Sequence, residues 1–262
     1  MIRKTLKTSL KTSMAAAVLG GSLLATAVAQ AETITVAIAA NFTKTVEEIG
    51  EAWEAKTGHD VRFSFGPSGK LLAQIQNGAP FDGYFSADTR RPQILVDSGE
   101  ARDFFVYAKG QLALYSEGLP VDENAEDILA NGDYAHLAMA NPKAAPYGLA
   151  AQQVLEKRGL YADLKDDGRI VSGESISQTF QFAATGNAQL GFVALSQLRD
   201  PQSPVKGKGH VWLPPKEDYD PIQQGAVALT RSEHPELVDD FMAFVQGDEA
   251  AEIIHKFGYD TP

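Results

Sequence analysis

The sequence predicts an α/β protein of two lobes, each an open and mostly parallel sheet flanked by helices, with a ligand cleft between the lobes. Three observations predict it. Strand-like and helix-like segments alternate from Thr33 onward. The alternation falls into two runs, each of the βαβ kind that builds a parallel sheet. The last strand and two helices are too short for a core of their own, so they rejoin the first run. The expected boundaries are 32–112 and 226–262 for the first lobe and 113–225 for the second.

In chain order, "TITVAIAA" reads as a buried strand, and "FTKTVEEIGEAWEAKTG" places Phe42, Val46, Ile49 and Trp53 at helical spacing, with Gly58 ending the helix. Then come "VRFSF" (strand), "KLLAQIQNG" (helix), "FDGYFSAD" (strand) and "RRPQILVDSG" (helix). "GQLALYS" leads into the second run: "HLAMANP" (strand), "GLAAQQVLEKRG" (helix), "GRIVSG" (strand), "SISQTFQFAATG" (helix) and "QLGFVALSQL" (strand). The Pro, Gly and Lys-rich stretch "RDPQSPVKGKGHVWLPPKEDYDP" reads as loop, before the strand "GAVALT" and the helices "HPELVDDFMAFVQG" and "DEAAEIIHKFG".

Arg3, Lys4, Lys7 and Lys11 precede the apolar run "MAAAVLGGSLLATAVA" and then Ala29-Gln30-Ala31, the layout of a cleaved secretory signal peptide at residues 1–31. Its apolar core is too short to span a bilayer comfortably. The chain from Glu32 is therefore expected to diffuse in a periplasm, as a monomer. With no cysteine there is no lipid anchor, disulfide, thiolate metal site or cysteine nucleophile. The 262 residues hold 34 acidic and 23 basic side chains, a formal charge of −11, and the signal removes only basic ones. Nucleic acid is not an expected partner. A bound anion must be held by local dipoles against an opposing global field.

Four strand-to-helix junctions carry the candidate site: Asn41 in "AANFT", Ser68 in "FGPSGK", Tyr147 in "NPKAAPYG" and Ile176 in "GESISQ". Free N–H groups and the positive dipole end meet at such junctions, which suits an anion. Asn41 and Ser68 are N-cap types, Pro146 suits a helix start, and Ser175 can cap the helix that exposes the Ile176 N–H. The nucleotide P-loop does not fit, because Leu71 follows Lys70 where Ser or Thr is required. The plain alternative is that Gly66, Pro67 and Gly69 make a turn and Ser68 only a cap.

Asp82 and Asp88 read as turn or capping residues. His59, His136, His210, His234 and His255 show no metal-ligand spacing, so neither a metal cation nor a cofactor is expected. Lys206, Lys208 and His210 read as a solvated loop.

Taken together, "ITVAIAANFT", "TGHDVRFSFGPSGKLLAQIQNGAPFDGYFSAD", "LAMANPKAAPYGLAAQQVL", "ESISQ", "NAQLGFVALSQ" and the ending "AAEIIHKFGY" resemble the periplasmic molybdate-binding proteins of ABC transporters, the ModA family. The resemblance covers essentially the whole chain after the signal. It implies a two-lobed type II periplasmic binding protein fold, no enzymatic activity, molybdate or tungstate as ligand and an inner-membrane permease as partner. By position it implies Asn41 as first-loop donor, Ser68 as second-loop hydroxyl, Tyr147 as a hydroxyl from the opposite lobe and Ile176 as a backbone donor. Asn41 stands where many relatives have Ser, and Ala194 where some have a tyrosine. Lys70 can point either toward the cleft or along the helix surface.

Molybdate and tungstate are dianions without a proton near neutral pH, so a site of donors alone suits them. Hydrogen phosphate needs an acceptor for its own proton, and leaving a buried polar hydrogen unpaired costs roughly 1–3 kcal/mol. Sulfate is also a bare dianion and stays an alternative, as does another small anion. A secreted hydrolase using Ser68 is the alternative of another class, although no GxSxG or Ser-x-x-Lys pattern surrounds that serine. A metal-ion binder lacks a His, Tyr and carboxylate cluster at the four junctions.

Overall fold

The computed structural model describes residues 32–262, and the expected signal at 1–31 lies outside them. Strand β1 (Thr33–Ala39) is buried on both faces along most of its length, as its apolar run requires. It pairs in parallel with β2 (Asp60–Gly66) and with β3 (Gly83–Ser86). Helices α1 (Thr43–Thr57), α2 (Ser68–Gln76) and α3 (Arg90–Asp97) follow these strands in turn. Gly58 ends α1 in the left-handed region at φ 75°, and its N–H closes on the Glu54 carbonyl at 2.8 Å. The first sheet has the order β2-β1-β3-β10-β4, with β4 at Ala101–Gly110 and β10 at Ile222–Leu229. Strand β10 runs antiparallel to both neighbours.

After Gln111 the chain enters the second sheet through β5 (Leu112–Ser116). Helix α4 (Val121–Asn131), β6 (Leu137–Ala140), α5 (Pro146–Lys157), α6 (Tyr161–Asp166), β7 (Ile170–Gly173), α7 (Ile176–Ala184), β8 (Leu190–Ala194), α8 (Leu195–Arg199) and β9 (His210–Trp212) follow. The sheet order is β7-β6-β8-β5-β9, parallel around β6 and antiparallel around β5. The chain returns through β10, and α9 (Pro235–Val245) and α10 (Asp248–Lys256) close against α1. Trp53 joins these pieces: its ring meets Phe241 edge-on at 5.3 Å, and its Nε1 donates to Asp240 at 2.8 Å.

Several local expectations need adjusting. The strand read in "QLGFVALSQL" stops at Ala194, where the chain turns into α8 and the Gln197 side chain accepts the Ala194 N–H at 3.0 Å. The stretch read as loop contains β9, which pairs with β5. Leu112, expected to end the first lobe, opens β5 of the second sheet. Residues 222–225, expected in the second lobe, run in β10 of the first sheet.

Candidate functional site

The carboxyl ends of β1, β2 and β3 in one sheet face those of β6 and β7 in the other, and the chain meets itself there across the cleft. Beyond β1 a single 3-10 turn (Ala40–Phe42) carries Asn41. The Ser177 hydroxyl of α7 donates to the Ala40 carbonyl at 3.1 Å, and Ser196 of α8 donates to the Asn41 carbonyl at 3.2 Å. Beyond β2, the Gly69 N–H donates to the Ala144 carbonyl at 3.0 Å. Beyond β3, Arg91 reaches over to the Lys143 carbonyl at 3.0 Å, with its charge met by Asp88 on its own loop. Ala39, Ala40 and Ala87 of one sheet share a buried apolar cluster with Ala145, Tyr147 and Ile176 of the other. Asn41, Ser68, Tyr147 and Ile176 are all buried, on the segments that carry these contacts between the two sheets.

Ser68 does not cap α2: Pro67 holds the cap position and Ser68 is the first helical residue. Its Oγ instead accepts the Ala87 N–H at 3.0 Å, while its carbonyl accepts from the Tyr84 hydroxyl at 2.8 Å. Ala87 N–H is the one hydrogen-bond partner of Ser68 Oγ among the described residues, which leaves the hydroxyl proton free to donate. Tyr147 is the second residue of α5, behind Pro146 at the helix start. Its hydroxyl has Gln224 Nε2 as donor at 3.4 Å, with the Tyr259 hydroxyl as a further neighbour. Burial, with the neighbouring Tyr259 next in weight, holds the Tyr147 phenol well above its usual pKa, so it stays a neutral donor. Ser175 caps α7 as expected, accepting from Gln178 N–H at 3.2 Å. Ile176 follows at the first helical position, where a backbone N–H lacks an intrahelical partner.

Asn41 is the departure. It does not cap α1, whose N-cap is Phe42. Both hydrogens of its amide are engaged, by Gln224 Oε1 at 2.8 Å and by the Tyr259 hydroxyl at 3.0 Å. The side chain therefore ties this turn to β10 and to Tyr259 beyond α10, and what position 41 has to offer a ligand is the backbone of its helical turn. Tyr259 donates in turn to the Asn41 carbonyl at 2.7 Å and lies 2.9 Å from Ser196 Oγ. Burial pushes its phenol up to about 12, against the opposing pull of Ser196 and Asn41.

Lys70 points along the surface and pairs with Glu174 across the cleft at 2.9 Å, with both side chains more than half exposed. Asp88 accepts the Arg91 N–H at 2.9 Å, as a turn residue does, whereas Asp82 accepts the Thr35 N–H and the Ser232 hydroxyl, each at 2.7 Å, and so bridges segments far apart in the chain instead of making a turn. Among the described residues no group of three or more His, Asp or Glu is placed to hold a metal ion. Sequence reasoning missed Gln224, Tyr107 and Arg91. Tyr259 stood inside the quoted "AAEIIHKFGY" without being singled out, and the second Gln of "IQQGAVAL", on the strand face opposite the exposed Gln223, was the available signal for Gln224.

The model of the bacterial extracellular solute-binding protein family matches residues 34–260. The Rhodobacter capsulatus molybdate-binding protein ModA is 43% identical over 235 residues, 89% of this chain and 90% of that protein. The Azotobacter vinelandii ModA is 44% identical over 243 residues, 92% and 94% of the two chains. The solved Azotobacter vinelandii periplasmic molybdate-binding protein superposes with a TM-score of 0.83 at 39% identity, covering 87% of this chain and 99% of that one. The sulfate-binding protein SubI of Mycobacterium tuberculosis shares the fold alone, at a TM-score of 0.73 and 14% identity, covering 88% of this chain and 87% of that one. The fold is thus that of the two-lobed periplasmic binding proteins, and the chain belongs to the bacterial extracellular solute-binding protein family, among the ModA proteins.

Proposed function

We propose that this protein captures molybdate, with tungstate as an equivalent guest, in the periplasm and hands it as a monomer to the inner-membrane permease of an ABC transporter. The lobes are taken to divide where the chain passes between the two sheets. The oxyanion sits among the Ser68 and Tyr147 hydroxyls, the backbone at Asn41 and the Ile176 N–H. One observation carries this reading: both buried hydroxyls accept from a fixed N–H, at 3.0 Å for Ser68 and 3.4 Å for Tyr147, which supports each as a donor to the anion. Such a site offers donors without acceptors and suits a tetrahedral dianion that has no proton of its own. The ModA relatives bind molybdate, and their similarity supports the same ligand here.

The protein is read as a carrier and not an enzyme. Ser68 Oγ has a backbone N–H as its partner, which cannot take the proton that a nucleophilic serine must lose. Sulfate shares the bare dianion chemistry and is the competing ligand. Native mass spectrometry of the purified protein after addition of sodium molybdate should show one added molybdate per chain. Retention of sulfate in its place under equal concentrations would replace the reading.

A further inference from the structure

Gln224 is fully buried on β10 and joins three other side chains. Its Oε1 accepts from Asn41 Nδ2 at 2.8 Å and from the Tyr107 hydroxyl at 2.9 Å, and its Nε2 faces the Tyr147 hydroxyl at 3.4 Å. Two donors converging on Oε1 fix which way the amide faces. The Tyr147 oxygen therefore meets an N–H, and a phenol that accepts from a fixed donor turns its own proton elsewhere.

Gly110 gives an independent reason to see this contact as built. A Cβ there would lie 2.1 Å from the Tyr147 hydroxyl and 2.7 Å from Gln224 Nε2. Gly110 is not among the residues with positive φ, so the glycine serves a close approach and not a turn. It ends β4, one residue before the chain crosses to the second sheet, and it is paired with Ile222 of β10. The crossing strand, the returning strand and the helix of the opposite lobe thus meet at one hydroxyl.

We propose that Gln224 is a positioning residue for oxyanion specificity: seated against Gly110, it aims the Tyr147 proton into the cleft and occupies the side of the hydroxyl that could otherwise accept. A bare dianion then meets a donor already turned toward it, whereas hydrogen phosphate brings a proton that finds no acceptor. The Ala87 N–H does the same for Ser68, but from the backbone. The inference rests on the proposed role of Tyr147 as a ligand donor.

Calorimetry with sodium molybdate and sodium hydrogen phosphate on Tyr147→Phe, Gln224→Met and the double variant tests it. Each single change should weaken molybdate binding roughly 10-fold to 100-fold, the range for a hydrogen bond to a charged group. The double variant should be no weaker than the poorer single one, because both remove the same donor. Gln224→Met should also narrow the molybdate-to-phosphate affinity ratio, which a merely structural loss would leave unchanged. Losses that multiply in the double variant, or an unchanged ratio, overturn the inference. A Tyr147→Phe variant with full affinity would instead overturn the site reading beneath it. Should Gln224→Met not fold, the side-chain amide resonances of Gln224 in the wild-type protein decide: they should shift when molybdate is added, and resonances that do not move refute the proposal.

Discussion

Ser68 Oγ holds one buried N–H and, in the proposed site, also donates to the anion, and this governs what its removal does. Its Oγ accepts the buried Ala87 N–H, so Ser68→Ala leaves that N–H without an acceptor at a cost of about 1–3 kcal/mol in stability. It also removes a hydroxyl donor, which should weaken molybdate binding by about 1.5–3 kcal/mol. Denaturant unfolding and calorimetry on the same variant should both register a loss, and unchanged affinity beside a lowered stability would leave Ser68 a structural residue only. The positions of Ser68, Tyr147 and Ile176 were legible in the sequence because each follows a strand and opens a helix, a pattern that small residues and Pro announce locally. The use of the Asn41 amide was not legible. Its partners Gln224 and Tyr259 lie 183 and 218 residues away in sequence, and only the return of the chain through β10 and α10 brings them near.

Helix α2 meets the opposite lobe through its first turn, and the two residues there act by different physics. The Lys70–Glu174 pair is exposed on both sides, so Lys70→Gln should change affinity by less than about 1 kcal/mol, an effect that high salt should erase. Gly69 is the tighter contact: a Cβ there would stand 3.3 Å from the Ala144 backbone, closer than ordinary packing. Gly69→Ala should therefore weaken binding by hindering the closed contact. The melting temperature of the ligand-free protein should hold or rise, since Ala favours a helix over Gly by up to about 1 kcal/mol. Calorimetry beside thermal melting checks both, and intact affinity in Gly69→Ala would exclude the Gly69–Ala144 contact from the bound state. The elements themselves were legible wherever their period was clean, as in α1 and β1. Strand β4 escaped because Asp103 takes a left-handed φ of 56° and its pairing with β10 shifts register twice, which breaks the alternation that marks a strand.

Across the whole molecule the acidic charge and the buried phenols set the response to pH. Burial holds Tyr84, Tyr107 and Tyr147 above the ordinary value of 10.0 and Tyr259 at about 12. The unfolded chain ionises these groups near pH 10 while the folded chain keeps their protons. The stabilisation they give is complete below pH 10 and is lost as pH rises through the folded values, at up to about 1.4 kcal/mol per pH unit for each phenol. Urea midpoints should hold below pH 10 and drop steeply above it, and a midpoint flat to pH 11.5 would show that these phenols titrate normally. Two lobes and a cleft could be read from the alternation of strands and helices, but the closed junction could not, because it rests on contacts between segments far apart in the chain. The central claim is that neutral donors alone, at the meeting of the two lobes, select a bare dianion. Titration calorimetry of the purified protein with sodium molybdate and sodium hydrogen phosphate in one buffer at pH 7.5 tests it most directly: the account predicts one molybdate per chain and phosphate at least about 100-fold weaker, and phosphate binding as tightly as molybdate would contradict it.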